Sequence, residues 1–211
     1  ELLTALKGGV PNEKIVFHGN NKSDKEIEFA VRNNIKVIVD NDYDLERLDE
    51  ISNSFNRDLE IMIRFTPGIE CHTHEYIRTG SFDSKFGFGI EYLNTLFDRI
   101  SDTKYLKLKG IHAHIGSQIF ELEPHKDLGE IMVNVILEAK KFGHDIQKLN
   151  VGGGLGIKYT ENDDPPSIYE WVETISTSIV KACKKNNLDL PTLMCDCLLY
   201  TSPSPRDRVL S

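Results

Sequence analysis

The chain has 211 residues, with 25 Lys and Arg against 33 Asp and Glu, and a formal net charge of −8 when histidine is neutral. At 39% hydrophobic and 27% charged it carries enough apolar surface for a real core, and disorder, collagen and coiled coil all fit poorly. No Lys/Arg run exceeds two residues, no apolar stretch approaches the roughly 18 that span a bilayer, and no charged start leads into an apolar signal core, which argues against nucleic acid and membrane as partners.

The first predicted strand is 14–17 (KIVF). Ser23 and Glu26 then show capping-box spacing ahead of Ile27, Ala30 and Val31, which predicts a helix. A strand at 37–40 (VIVD) and a helix over 43–55, carried by Leu45, Leu48 and Phe55, come next. A third strand, 59–65 (LEIMIRF), opens into a long connection without regular pattern, rich in His72, His74, Tyr76, Arg78 and Lys85. Loops that long inside a compact domain are usually functional. A solvated lid is the plainer reading for Arg78, while Lys85, set between Asp83 and Phe86-Gly87, looks less like a free surface lysine.

Beyond it, Leu93, Leu96, Phe97 and Ile100 mark a helix over 91–101, and 108–112 (LKGIH) is the fourth strand. Leu128, Ile131, Met132, Val135, Ala139 and Phe142 keep one helical face apolar, with Gly143 where a left-handed C-terminal cap belongs. A strand at 148–152 (KLNVG) follows, then a second capping box, Ser167 with Glu170, before Val172, Ile175 and Ile179. Trp171 fits the apolar side of that helix, and 191–195 (PTLMC) is the last strand.

Brief strands that are apolar on both faces and separated by helices belong to a parallel sheet. Polar and glycine residues collect at the C-terminal ends of at least five of them: His18 to Asn21, Asp40 and Asn41, Arg64, His112 with His114 and Ser117, and Gly152 to Gly154. An open sheet concentrates ligand groups at one switch point, whereas a barrel brings every strand end to one mouth. The expected fold is therefore α/β, a partial (β/α)8 barrel with six of eight β/α units. Cys71, Cys183, Cys195 and Cys197 are too few and too irregular for a disulfide framework, so reduced thiols and an intracellular setting are expected.

Three features carry chemistry. The run Gly152, Gly153, Gly154, Leu155, Gly156 can aim several backbone N–H groups at an anion, but it lacks Walker or Rossmann spacing and equally makes a tight turn. His112 and His114 alternate along a strand and share a face, open to metal ligation with Cys71, His72 or His74, to stacking on a planar cofactor ring, or to simple packing. No metal motif is completed, and none is predicted. Lys22, just past a strand end, reads either as an imine-forming lysine or as a solvated residue ahead of a helix cap.

Taken together, FHGNNKS, RFTPGIECHTHEYIRTG, DSKFGF, HAHIGSQIFE and LNVGGGLGIKY resemble, in order and spacing, the barrel domain of the diaminopimelate decarboxylases, pyridoxal-phosphate enzymes of the alanine-racemase-like barrel class. The resemblance runs over residues 1–195. It implies pyridoxal 5'-phosphate as cofactor, His114 stacked on its ring, Ser117 and the Gly152, Gly153, Gly154 turn at its phosphate, Arg64 near the ring, and Lys85 near the active site and a homodimer interface. The implied reaction takes meso-2,6-diaminopimelate to L-lysine and CO2, with the cofactor ring as electron sink. The implied location is the cytoplasm, or the plastid of a plant.

Two departures accompany the resemblance. The family's imine-forming lysine and two first strands have no counterpart here, so the chain reads as an inactive fragment spanning strands three to eight. After residue 195 the family continues with an acid that contacts the pyridine nitrogen and a Pro-Gly-Arg turn, and then a β-domain. Here 196–211 (DCLLYTSPSPRDRVLS) reads as a junction with foreign sequence, as read-through into an adapter would leave. A barrel-type decarboxylase acting on ornithine, arginine or carboxynorspermidine, and a non-catalytic regulatory homologue, are the alternatives.

Overall fold

A computed structural model describes residues 1–69, 86–161 and 163–196. Its centre is a curled parallel sheet, a partial barrel, built from β1 (Val16–Phe17), β2 (Lys36–Val39), β3 (Leu59–Thr66), β5 (Leu106–His112), β6 (Lys148–Asn150) and β7 (Thr192–Met194). These six pair in that order, and the two-residue β4 (Phe88–Gly89) pairs with the end of β3. Every pairing is parallel, and the crossovers that parallel neighbours need run through α2, α3, α4, α5 and α6 between the six main strands. Six helices accompany them among the described residues: α1 (Leu2–Lys7), α2 (Asp24–Arg32), α3 (Asp42–Phe55), α4 (Leu93–Ser101), α5 (Glu123–Lys141) and α6 (Ile168–Lys185).

Both capping boxes form. The Ser23 and Ser167 backbone N–H groups donate to Glu26 and Glu170 at 2.9 and 2.8 Å, opening α2 and α6. Gly143 sits just past α5 with φ +84°, a left-handed position that only glycine enters without strain. α5 itself starts earlier than its apolar periodicity indicates, because Pro124 at its first turn costs no hydrogen bond there. Sheet and helices close over one core in which Val37, Val39, Ile61, Ile63, Ile111, Leu149, Leu96, Phe97, Leu128 and Ile175 are all buried.

Two local differences from the predicted elements have clear causes, and a bulge adds a third irregularity. Residue 14 belongs to a 3-10 turn, Asn12–Lys14, launched from Pro11, so β1 keeps only two residues. β6 ends at Asn150 because Gly152 turns the chain at φ +67°. The register of β3 against β5 shifts between Ile61 and Met62, so Lys109 is an extra residue and Gly110 faces Met62, where a Cβ would come within 2.7 Å of its side chain. Beyond that bulge Arg64, His112, Asn150 and Met194 stand in one row across four strands, at their C-terminal ends.

Candidate active site

The strand ends surround a cavity of about 760 Å³. Arg64 of β3, His112 at the end of β5, His114 and Ser117 just beyond it, and Gly153 and Gly154 after β6 all reach its wall, so six of the residues singled out by sequence meet at one place. Gly152 lies behind that wall, its N–H donating to Asn150 Oδ1 at 2.8 Å. The Gly153 N–H points to His114 Nδ1 at 3.4 Å. A Cβ on Gly152 would stand 2.7 Å from the Ala113 carbonyl oxygen and 2.8 Å from His114 Nδ1, and one on Gly154 would overlap the Gly116 carbonyl. The glycine run is therefore required by close approach to the HIGS segment, whatever else it binds.

Gln118 locks these two segments together. Its amide donates to the Ile157 carbonyl at 3.1 Å and accepts from the Ile157 N–H at 2.9 Å, beside a parallel bridge between Ile119 and Leu155. The opposite wall is apolar, formed by Ile157, Pro165, Pro166, Ile168 and Trp171.

Electrostatics in the cavity centre on Arg64. Its guanidinium holds Asp40 Oδ1 at 3.0 Å and lies 4.9 Å from the Phe86 ring centre. His112 is fully buried with neither ring nitrogen hydrogen-bonded, and its pKa is pushed down to about 3, by burial first and then by His18 and Arg64. Burial, with Arg64 next, also lowers the pKa values of His18 and His114 below 6.5. Three neutral imidazoles beside one permanent cation are suited to a flat ring carrying negative charge.

His18, His112 and Asp196 bring one ligand atom each within 4.8 Å of one another. This is not the trio considered from sequence: His114 is outside it, and Cys71, His72 and His74 lie outside the described residues, as does Lys85. The Arg64 cation, which already depresses the pKa of His18 and His112, opposes a metal ion at the same spot. Lys22 answers to neither of its sequence readings. It is buried rather than solvated, and its Nζ is spent on Asp44 Oδ2 at 2.5 Å and on the Gly19 carbonyl, away from the cavity.

His18, grouped by sequence with the polar strand ends, also lines the cavity, whereas Gln118, Trp171 and Asp196 were not read as cavity residues. Asp196 follows β7, exposed at the mouth, and accepts from Asn150 Nδ2 at 3.2 Å. Trp171 was assigned to the helix core, and it is buried there, yet one edge also closes the cavity. A cleft of about 500 Å³ between α5 and α6, lined by Lys126, Glu130, Glu173 and Lys181, mixes exposed charges of both signs and receives no strand end.

A family profile described as pyridoxal-dependent decarboxylase, pyridoxal binding domain, matches residues 1–195. The chain belongs to the pyridoxal-dependent decarboxylases. Within them it is similar to the diaminopimelate decarboxylase of Synechocystis sp., at 50% identity over 87% of this chain and 39% of that protein. The Staphylococcus aureus diaminopimelate decarboxylase is 40% identical over 92% of this chain and 45% of its own length. Among solved structures, the diaminopimelate decarboxylase of Helicobacter pylori complexed with L-lysine superposes with a TM-score of 0.82 at 31% identity, covering 92% of this chain and 48% of that one. The chain thus spans rather less than half the length of the relatives it matches. Among its described residues no helix is long and apolar enough to cross a membrane.

The residues at the mouth fit the family's cofactor. An orphaned buried imidazole, an arginine cation, a hydroxyl at Ser117 and a glycine turn without room for side chains are what a phosphorylated aromatic ring requires.

Proposed function

We propose that the chain is the cofactor-binding part of a diaminopimelate decarboxylase, a pyridoxal-phosphate carboxy-lyase taking meso-2,6-diaminopimelate to L-lysine and CO2. The observation that carries this reading is the convergence of Arg64, His114, Ser117, Gly153 and Gly154 on one cavity in a pyridoxal-binding domain. The likeness to diaminopimelate decarboxylases supports the choice of substrate over ornithine, arginine and carboxynorspermidine.

When bound, pyridoxal phosphate supplies an electron sink for cleavage of the bond to the α-carboxylate. The chain's own residues supply position and charge. His114, neutral at physiological pH because burial and Arg64 hold its pKa down, offers a flat face to the ring without adding a cation. The Ser117 hydroxyl and the Gly154 backbone would hold the phosphate, with Gly152 and Gly153 setting the turn and the Gly153 N–H given to His114 Nδ1. Arg64 provides the positive charge beside the ring. Trp171, Pro165 and Pro166 keep water from the far side.

The chain alone is proposed to bind the cofactor without a covalent link and without turnover, since Lys22, the lysine read as an imine former, is committed to Asp44 and the Gly19 carbonyl. A homodimer, with Lys85 near its interface, belongs to the same reading. The test extends the chain to its relatives' full length and offers diaminopimelate, ornithine and carboxynorspermidine in turn. Lysine formation from diaminopimelate alone is expected; turnover of ornithine or carboxynorspermidine instead would overturn the assignment.

A further inference from the structure

Lys22 lies outside the cavity, yet its surroundings lead straight to it. The ammonium sits on Asp44 Oδ2 at 2.5 Å, with side-chain exposures of 1% and 2%. That same oxygen accepts the backbone N–H of Asp40 at 3.1 Å, and the Asp40 carboxylate, also buried, receives Arg64 Nη1 at 3.0 Å. Ammonium, carboxylate, carboxylate and guanidinium thus form one buried series from the end of β1 to the cavity wall. The Lys22 ammonium also donates to the Gly19 carbonyl, beside His18, and so fastens the loop after β1 to the corner where β2 enters α3.

A buried ion pair is a poor device for stability, because two charges must leave water and well-packed apolar side chains would serve as well. What it fixes is direction. Asp40 and Asp44 are two carboxylates in one buried corner, each with its own cation. Remove the pair and the Asp40 backbone N–H loses its acceptor and the Gly19 turn its anchor, so the carboxylate that holds Arg64 is no longer fixed and the guanidinium leaves its seat in the cavity wall. Gly87 shows how tightly Arg64 is seated, since a Cβ there would stand 3.0 Å from Arg64 Cγ.

We propose that Lys22, with Asp44, is a positioning residue: acting through Asp40 and Gly19, the pair fixes the Arg64 guanidinium and the His18 loop in the geometry that receives the cofactor ring. The consequence for the cofactor rests on the proposed function, whereas the placement of Arg64 does not, and the two are read separately.

The test uses the 211-residue chain and the double variant Lys22→Met/Asp44→Leu, which removes both charges together so that neither is stranded. The nitrogen NMR signal of the Arg64 guanidinium, assigned by its loss in Arg64→Lys, reads placement without any cofactor. Expected is a distinct, slowly exchanging signal in the parent that collapses to the position of exposed arginines in the double variant, while circular dichroism stays unchanged. Affinity for 4'-deoxypyridoxine 5'-phosphate, which cannot form an imine, is expected to fall by about tenfold or more. A folded double variant that retains the parent Arg64 signal overturns the proposal, and so does a lost signal with unchanged affinity. Should the double variant not fold, Asp44→Asn replaces it: the freed Lys22 then competes with Arg64 for Asp40, so the Arg64 signal must shift, and an unshifted signal overturns the proposal. A parent that shows the Arg64 response but binds no deoxypyridoxine phosphate refutes the cofactor reading alone.

Discussion

The two ends of the sheet use charge in opposite ways. At the strand starts, Lys148 holds Glu60 at 2.8 Å with side chains 21% and 44% exposed, and Lys109 holds Asp145 at 3.2 Å, more exposed still. At the strand ends, Lys22–Asp44 and Arg64–Asp40 are sunk beneath the cavity, close to the unpartnered imidazole of His112. Water screens the first set, so its pairs add little and cost little. Nothing screens the second, so each charge there is tolerable only with its partner present. Apart from Lys36, buried at the start of β2, the sheet's buried charges lie at the end where a ligand is to be received.

The largest effect expected from breaking this contrast is at Lys22. Lys22→Met strands the buried Asp44 carboxylate, and chemical denaturation should show a loss of about 3–5 kcal/mol.

Next comes acid. His112 and His125 have folded pKa values pushed down to about 3 and about 4, in both cases chiefly by burial. Their unfolded value is near 6.5, so the unfolded chain takes up the proton first and stability falls as pH drops below about 6.5. Each contributes a slope of about 1.4 kcal/mol per pH unit, ending near pH 4 for His125 and near pH 3 for His112. His18 and His114, shifted in the same direction, add to it. Between pH 6.5 and about 5 the carboxylates are not yet titrating, and denaturation midpoints there should lose one histidine's share of the slope in His125→Phe. His125 packs edge-on to Trp171 at 5.5 Å with neither ring nitrogen bonded, so phenylalanine fits its setting.

The smallest effect belongs to the strand starts. Glu60→Gln removes a half-exposed pair, and less than about 1 kcal/mol should be lost, with high salt erasing most of the difference.

How much of this was legible in the sequence follows from what each element depends on. β2 was readable because its apolar run is buried on both faces, β3 and β5 because their apolar residues are buried along most of each strand, and α2 and α6 because their caps are local. β4 was not, since two residues have no periodicity and Phe88–Gly89 is a strand only by virtue of lying beside Phe65 and Thr66. In the site, Arg64, His114, Ser117, Gly153 and Gly154 stood out by chemistry at strand ends. Gln118 and Asp196 carry no such local mark, and their places come from the Ile157 backbone and from Asn150. Lys22 was misread for the same reason. Its partner lies 22 residues away, and only the packing of α3 against the end of β1 brings Asp44 within reach.

Trp171 is the chain's single tryptophan and stands in the cavity wall, so the central claim has a built-in reporter. The most direct measurement titrates the chain with 4'-deoxypyridoxine 5'-phosphate and follows Trp171 fluorescence, with 4'-deoxypyridoxine lacking the phosphate as control. The account predicts saturable quenching that inorganic phosphate competes away, with much weaker binding of the unphosphorylated ring and of Ser117→Ala toward the phosphorylated one. Equal response to both compounds, or a Ser117→Ala titration identical to the parent, would contradict it.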